Sequence, residues 1–156
     1  MNSQPDLQPH RHIRTLLVDD SPLMREFLTI LVGRENGFEI VATAADGLQA
    51  LRSVAALRPE LILMDVDMPC LDGLAATRTI RQSAAQIGYA PVIVMVTAND
   101  TLTCRSLAEE AGANGFVPKS ENLGAQLRST LANLFSGNVE SLPANLVEDT
   151  REICCA

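Results

Sequence analysis

The chain of 156 residues has no tryptophan, and aromatic residues make up only 3% of it. No apolar stretch approaches the ~20 residues that cross a bilayer, so no membrane helix is expected. The opening segment, residues 1–12, is polar and carries Pro5 and Pro9. It lacks the apolar core of a signal peptide, which makes the cytoplasm the expected compartment. Basic residues are in the minority, 12 Lys and Arg against 19 Asp and Glu, for a formal net charge of −7. That balance argues against sequence-independent binding to nucleic acid or to an anionic membrane. Cysteines are few: Cys70, Cys104 and the adjacent pair Cys154 and Cys155. With no Cys-x-x-Cys spacing, a disulfide scaffold and a zinc site are both disfavoured, and unpaired thiols are expected. The terminal pair does not fit a C-terminal prenylation box.

What is present reads as one globular domain. Hydrophobic residues are 47% and charged residues 20%, near globular averages. Residues 1–12 read as a flexible arm, 13–136 as the folded domain and 137–156 as a loose tail. Within the domain, short apolar runs alternate with helical spacing. Strands are expected at 14–18, 38–42, 61–64, 92–96 and 115–118. Ser21-Pro22 reads as an N-cap with Pro in the first turn, and Leu23, Met24, Phe27, Leu28 and Leu31 form the apolar stripe that follows, ended by Gly33. A second helix starts at Asp46-Gly47 with Leu48, Leu51, Val54 and Ala55 on one face, and Arg58-Pro59 stops it. A third contains Leu74, Thr77, Arg78 and Arg81. A fourth lies near 102–111 before Gly112, and a fifth near 123–135. Five strand–helix repeats imply an α/β fold with a parallel sheet covered by helices on both faces. The unbroken apolar run at Leu61, Ile62, Leu63 and Met64 suits such a doubly covered strand.

The polar residues that end these runs are the informative ones. Strand one ends on Asp19-Asp20, strand three on Asp65, strand four on Thr97 and strand five on Lys119. In open α/β sheets, ligands bind outside the carboxyl ends of the strands. Carboxylates that converge there repel one another unless a cation joins them. Magnesium suits the task, because it takes one or two carboxylates and completes its shell with water and phosphate oxygens. An Asp carboxylate is also a nucleophile toward phosphorus, and an ammonium and a hydroxyl can meet the charge that develops. The residues thus describe a cation-and-phosphoryl site.

The segments Leu17-Val18-Asp19-Asp20, Met64-Asp65-Val66-Asp67-Met68-Pro69 with Asp72-Gly73, Val96-Thr97-Ala98, and Gly112 to Lys119 resemble the receiver domain of two-component response regulators, of the chemotaxis-receiver kind. The resemblance covers about residues 13–135. It implies a flavodoxin-like, doubly wound, five-stranded parallel sheet of strand order 2-1-3-4-5. It implies that Asp65 accepts a phosphoryl group from a phosphohistidine on a sensor histidine kinase or a histidine phosphotransfer protein. Asp20 and Asp65 would bind Mg2+ by side chain, Asp67 by its backbone carbonyl and Asp19 through water. Lys119 would pair with the phosphoryl group, Thr97 would turn inward to bond it, and Phe116 would be the aromatic switch. The output face would be that of the fourth helix, fifth strand and fifth helix, and a homodimer is among the expected partners. Such a chain is not expected to be an enzyme beyond self-catalysed phosphotransfer and autodephosphorylation. It departs from the family where Ser120, rather than Pro, follows Lys119, so a trans bond is expected there. Asp67 is a second departure, acidic where Asn or another residue is common.

Other readings compete. Asp65-Val66-Asp67 also resembles the Asp-x-Asp nucleophile of haloacid-dehalogenase-type phosphatases, although that motif normally ends the first strand. An inactive receiver-like interaction domain is a third reading. Asp46 and Asp72 read as capping or turn residues, Met64, Met68 and Met95 as packing, and Arg78 and Arg81 as a solvated helix face. Phe116 taken alone reads as core packing. His10 and His12 carry no role.

Overall fold

The computed structural model describes residues 11–136, so most of the expected arm and all of the tail, with Cys154 and Cys155, lie outside the described residues. Five strands, β1 (Ile13–Val18), β2 (Phe38–Ala44), β3 (Leu61–Met64), β4 (Val92–Thr97) and β5 (Gly115–Pro118), alternate with α1 (Pro22–Gly33), α2 (Gly47–Leu57), α3 (Gly73–Gln86), α4 (Leu102–Ala111) and α5 (Leu123–Phe135). All strand pairs are parallel and the sheet order is β2-β1-β3-β4-β5, as expected.

Alternation along the strands builds two cores, one on each face of the sheet. Leu16, Val18, Ile62, Met64, Ile93 and Met95 point to the face covered by α2, α3 and α4. Leu17, Leu61, Leu63, Val94, Val96 and Val117 point to the face covered by α1 and α5. Phe38 and Phe135 close the second core edge to face, with centroids 6.0 Å apart.

Four helices start at side-chain caps. The amide of Met24 donates to Ser21 Oγ, Gln49 to Asp46 Oδ1, Ala75 to Asp72 Oδ1, and Cys104 to Thr101 Oγ1. Each cap satisfies one otherwise orphaned amide and contributes about 1 kcal/mol. Helices follow strands here, so these caps surround the carboxyl end of the sheet.

The structure departs from the sequence reading in three places. In α1 the buried residues are Leu28 and Val32, whereas Leu23 is 76% exposed and Phe27 is exposed too. The helix is apolar around most of its circumference, so periodicity alone could not choose the inward stripe. Gly33 is its last helical residue and is followed by a right-handed cap at Arg34. In α2 the inward residues are Gly47, Ala50 and Val54, while Leu48 faces out. A Cβ at Gly47 would overlap the carbonyl of Leu71, to which the Gly47 amide donates at 3.1 Å. Arg81, expected on a solvated face, is half-buried and bridges α3 to the sheet. It donates to Gly112 O, Pro91 O and Asn114 Oδ1 at 2.9, 2.7 and 2.6 Å.

Candidate functional site

Strand adjacency builds the site. β1 and β3 are neighbours with Val18 opposite Met64, so Asp19 and Asp65 emerge side by side. The Asp65 amide donates to Val18 O at 2.8 Å, and the Asp19 amide to Ala44 O at 3.1 Å, which extends strand pairing into the acidic residues. On the other flank β4 lies against β5, and the Lys119 amide donates to Thr97 O at 2.8 Å. The α3 N-terminus folds tightly over Asp65. The Gly73 amide donates to Val66 O at 2.8 Å, and a Cβ at Gly73 would overlap the Asp65 carbonyl oxygen. The backbone approach there admits only glycine.

Asp19, Asp20 and Asp65 each bring a carboxylate oxygen within 4.8 Å of the others. Asp19 and Asp65 are buried and Asp20 is exposed, so the cluster opens to solvent through Asp20. Lys119 reaches into it, with Nζ 2.6 Å from Asp19 Oδ2 and 3.2 Å from Asp65 Oδ2. Asp19 Oδ1 accepts from the Ser21 amide at 2.9 Å. Burial raises the Asp65 pKa above the ordinary carboxylate value, the Asp19 charge raises it further, and Lys119 offsets only part of this. For Lys119, burial acts to lower the pKa, but the bonds and charges of Asp19 and Asp65 prevail and hold it above its ordinary value. The result is a charged, partly dry crevice with more acid than base. An all-oxygen donor set of this kind can hold a hard cation.

Thr97 is fully buried at the end of β4, where its Oγ1 accepts from the Asn99 amide at 3.2 Å. Phe116 is half-buried against the core under α2, α3 and α4, with the Arg105 guanidinium carbon 4.6 Å from its ring centroid. The Asp67 carboxylate is not among the clustered acids. Asp67 is exposed in the turn after β3 and lines, with Asp72, Asn99 and Cys104, a cavity of about 240 Å³. Among the described residues no peptide bond is cis, so the bond before Ser120 is trans, as expected. Cys70 and Cys104 are unpaired, also as expected. Asp46 and Asp72 are caps, in line with their sequence reading.

Two further residues, Asp100 and Arg105, carry no motif in the sequence that marks them. Arg105 Nε donates to Asp100 Oδ1 at 2.7 Å, which holds the guanidinium over Phe116. The signal available was an acid just before the α4 cap, five residues from an arginine in the helix.

A family model described as the response regulator receiver domain matches residues 15–131. A protein-glutamate methylesterase/protein-glutamine glutaminase from Nocardioides sp. is 39% identical over 118 residues, covering 75% of this chain and 31% of that protein. The chain therefore spans about a third of the length of the curated relatives it matches. The response regulator domain of Thermotoga maritima CheB superposes with a TM-score of 0.69 at 29% identity, covering 83% of this chain and 99% of that one. The receiver domain of the Arabidopsis thaliana histidine kinase CKI1, in complex with Mg2+, gives a TM-score of 0.71 at 29% identity, covering 80% of this chain and 92% of that one.

These relatives correct one expectation. The chain was expected to be no enzyme beyond acting on itself, yet the matched curated proteins are named for enzymatic activities. The strand-end residues report only on the segment they occupy, so they could not disclose what chemistry accompanies it. The matches give no support to the haloacid-dehalogenase reading. The geometry agrees, since Asp65 ends the third strand and Asp67 stands apart from the acidic cluster.

Proposed function

The chain belongs to the response regulator receiver domain family, and on that premise we propose that Asp65 accepts a phosphoryl group with Mg2+ held at the acidic cluster. The observation that carries this reading is the convergence of Asp19, Asp20 and Asp65 within 4.8 Å, with Lys119 bonded into the same crevice. The donor set fits magnesium: carboxylate oxygens only, with Asp20 facing solvent where waters would complete a shell. In this reading Asp20 and Asp65 would hold the ion by side chain, with Asp67 contributing its backbone carbonyl and Asp19 acting through water. When bound, Mg2+ supplies charge neutralisation at the phosphoryl oxygens.

A carboxylate oxygen of Asp65 attacks the phosphorus of a phosphohistidine on a histidine kinase or phosphotransfer protein. An O–P bond forms, the N–P bond breaks, and the imidazole leaves with its electron pair. Lys119 exchanges part of its pairing with Asp19 and Asp65 for the incoming phosphoryl oxygens. Thr97 turns its hydroxyl from the Asn99 amide toward them and donates. Phe116 follows into the space this opens, which alters the face of α4, β5 and α5. Residues 13–136 form this receiver unit, and its setting is the cytoplasm. An output of the esterase or glutaminase class, as named for the relatives, is what the switch would gate.

The test is incubation with acetyl phosphate and Mg2+ followed by intact mass measurement. One phosphoryl group should add per chain, and none in Asp65→Asn. Asp20→Ala should lose the Mg2+ titration while staying folded. Label retained at the wild-type level in Asp65→Asn would refute the assignment, and sustained phosphomonoester turnover would restore the phosphatase reading.

A further inference from the structure

The turn between β4 and α4 joins Thr97 to the Phe116 ring through two sets of polar contacts, connected to each other by the backbone. The first starts at Thr97, whose Oγ1 accepts from the Asn99 amide at 3.2 Å, the long end of a hydrogen bond. Asn99 Oδ1 accepts from the Thr101 hydroxyl at 3.2 Å, and Thr101 Oγ1 caps α4 through the Cys104 amide at 3.1 Å. Within this same turn the Asp100 amide donates to Ala98 O at 3.1 Å. A single oxygen of the Asp100 carboxylate, Oδ1, then holds Arg105, with Nε at 2.7 Å and Nη2 at 2.5 Å. Arg105 in turn lies over the outer side of the Phe116 ring, 4.6 Å from its centroid. The inner side of the ring packs on the core beneath α2, α3 and α4.

We propose that Arg105, fixed by Asp100, is a latch over Phe116 that favours the unphosphorylated arrangement and thereby opposes the switch. This rests on the phosphoacceptor reading above and adds a positioning pair to it. A guanidinium stacked on an aromatic face, with Nε and Nη2 both held by one carboxylate oxygen, resists movement of the ring away from it. When Thr97 turns toward a phosphoryl group, the Asn99 amide loses its acceptor and the turn that carries Asp100 is freed to shift. Arg105 then loses its anchor, and the ring parts from it. A contact present in only one of two states biases the equilibrium toward that state and lowers apparent affinity for whatever binds the other.

The experiment measures binding of beryllofluoride, a phosphoryl mimic, with Mg2+ to the full chain, read by 19F resonances of fluorophenylalanine-labelled protein. Arg105→Ala should bind beryllofluoride about two- to fivefold more tightly, the size of an exposed cation–π contact. Asp100→Asn should act in the same direction and less. Arg105→Lys, which keeps the charge but not the planar stack, should resemble Arg105→Ala more than wild type. The sign separates a latch from a plain electrostatic role, because removing a positive charge should weaken binding of an anionic mimic. In a Phe116→Leu background the gain from Arg105→Ala should vanish, which isolates the pair. Unchanged or weaker binding in Arg105→Ala overturns the latch, and so does a gain that persists in Phe116→Leu. If wild type itself shows no Asp65-dependent binding, the phosphoacceptor reading fails first and takes the latch with it.

Discussion

The two ends of the parallel sheet treat charge in opposite ways. At the amino end, cationic and polar side chains satisfy backbone carbonyls. Arg14 donates to Leu57 O at 2.6 Å, Arg81 spans Pro91 O and Gly112 O, and the Tyr89 hydroxyl donates to Pro59 O. Asn114 Oδ1 accepts from both Arg81 and the Ile93 amide. Burial pushes the Tyr89 pKa up to about 12, so it stays a neutral donor. At the carboxyl end, three carboxylates face one ammonium. The first arrangement is complete as it stands, and its polar groups hold strand beginnings in place. The second leaves net negative charge in a buried crevice, a state that folding alone would not favour. Polar groups are paired at one end and charge is left uncompensated at the other, although both ends are made from residues flanking the same strands.

Three changes would break or sharpen this contrast. The largest effect is expected where the two demands meet, at Gly73. Gly73→Ala forces a methyl group into the Asp65 carbonyl, so urea denaturation should show a loss of about 3 kcal/mol, with weaker Mg2+ binding as the Asp65 turn shifts. Unchanged stability would mean that α3 does not seat as closely as the structure has it. Next is Arg81→Met at the amino end, which removes donors from two carbonyls and from Asn114. The expected loss is about 2 kcal/mol, with the Mg2+ titration unchanged. A matching loss of metal binding would show that the ends are not independent.

The smallest effect is one of pH. The folded pKa of Asp65 lies above its ordinary value of 3.8. The folded state therefore holds the Asp65 proton more tightly than the unfolded chain does, and stability falls as pH rises through the folded pKa. Asp65→Asn, measured without metal, should consequently gain stability over wild type as pH rises from about 4 toward neutrality, and lose that advantage below about 3.8. A gain confined to low pH would reverse the assigned direction. Excess Mg2+ should shrink the difference at neutral pH, since a cation stabilises the charged carboxylate in the wild type only.

Much of this was legible in the chain itself. Five apolar runs, four of them ending in Asp19-Asp20, Asp65, Thr97 and Lys119, determined the fold class and which polar residues stand at the strand ends, because a parallel strand is buried on both faces and must release its polar residues at its terminus. The caps at Ser21, Asp46 and Asp72 were readable for a similar local reason, since an N-cap and its amide lie three residues apart. Tertiary structure decided the rest. Which stripe of α1 faces inward depends on what lies beneath it, and Leu23 and Phe27 look as apolar as Leu28 until the sheet is in place. Arg81 could not be separated from Arg78 by spacing, because its acceptors come from the beginnings of β4 and β5. Arg105 meets Phe116 only because α4 packs beside β5. Periodicity records how a segment turns about its own axis, whereas the pairing of Lys119 with Asp19 and of Arg105 with Phe116 depends on distances across the sheet that no local spacing encodes.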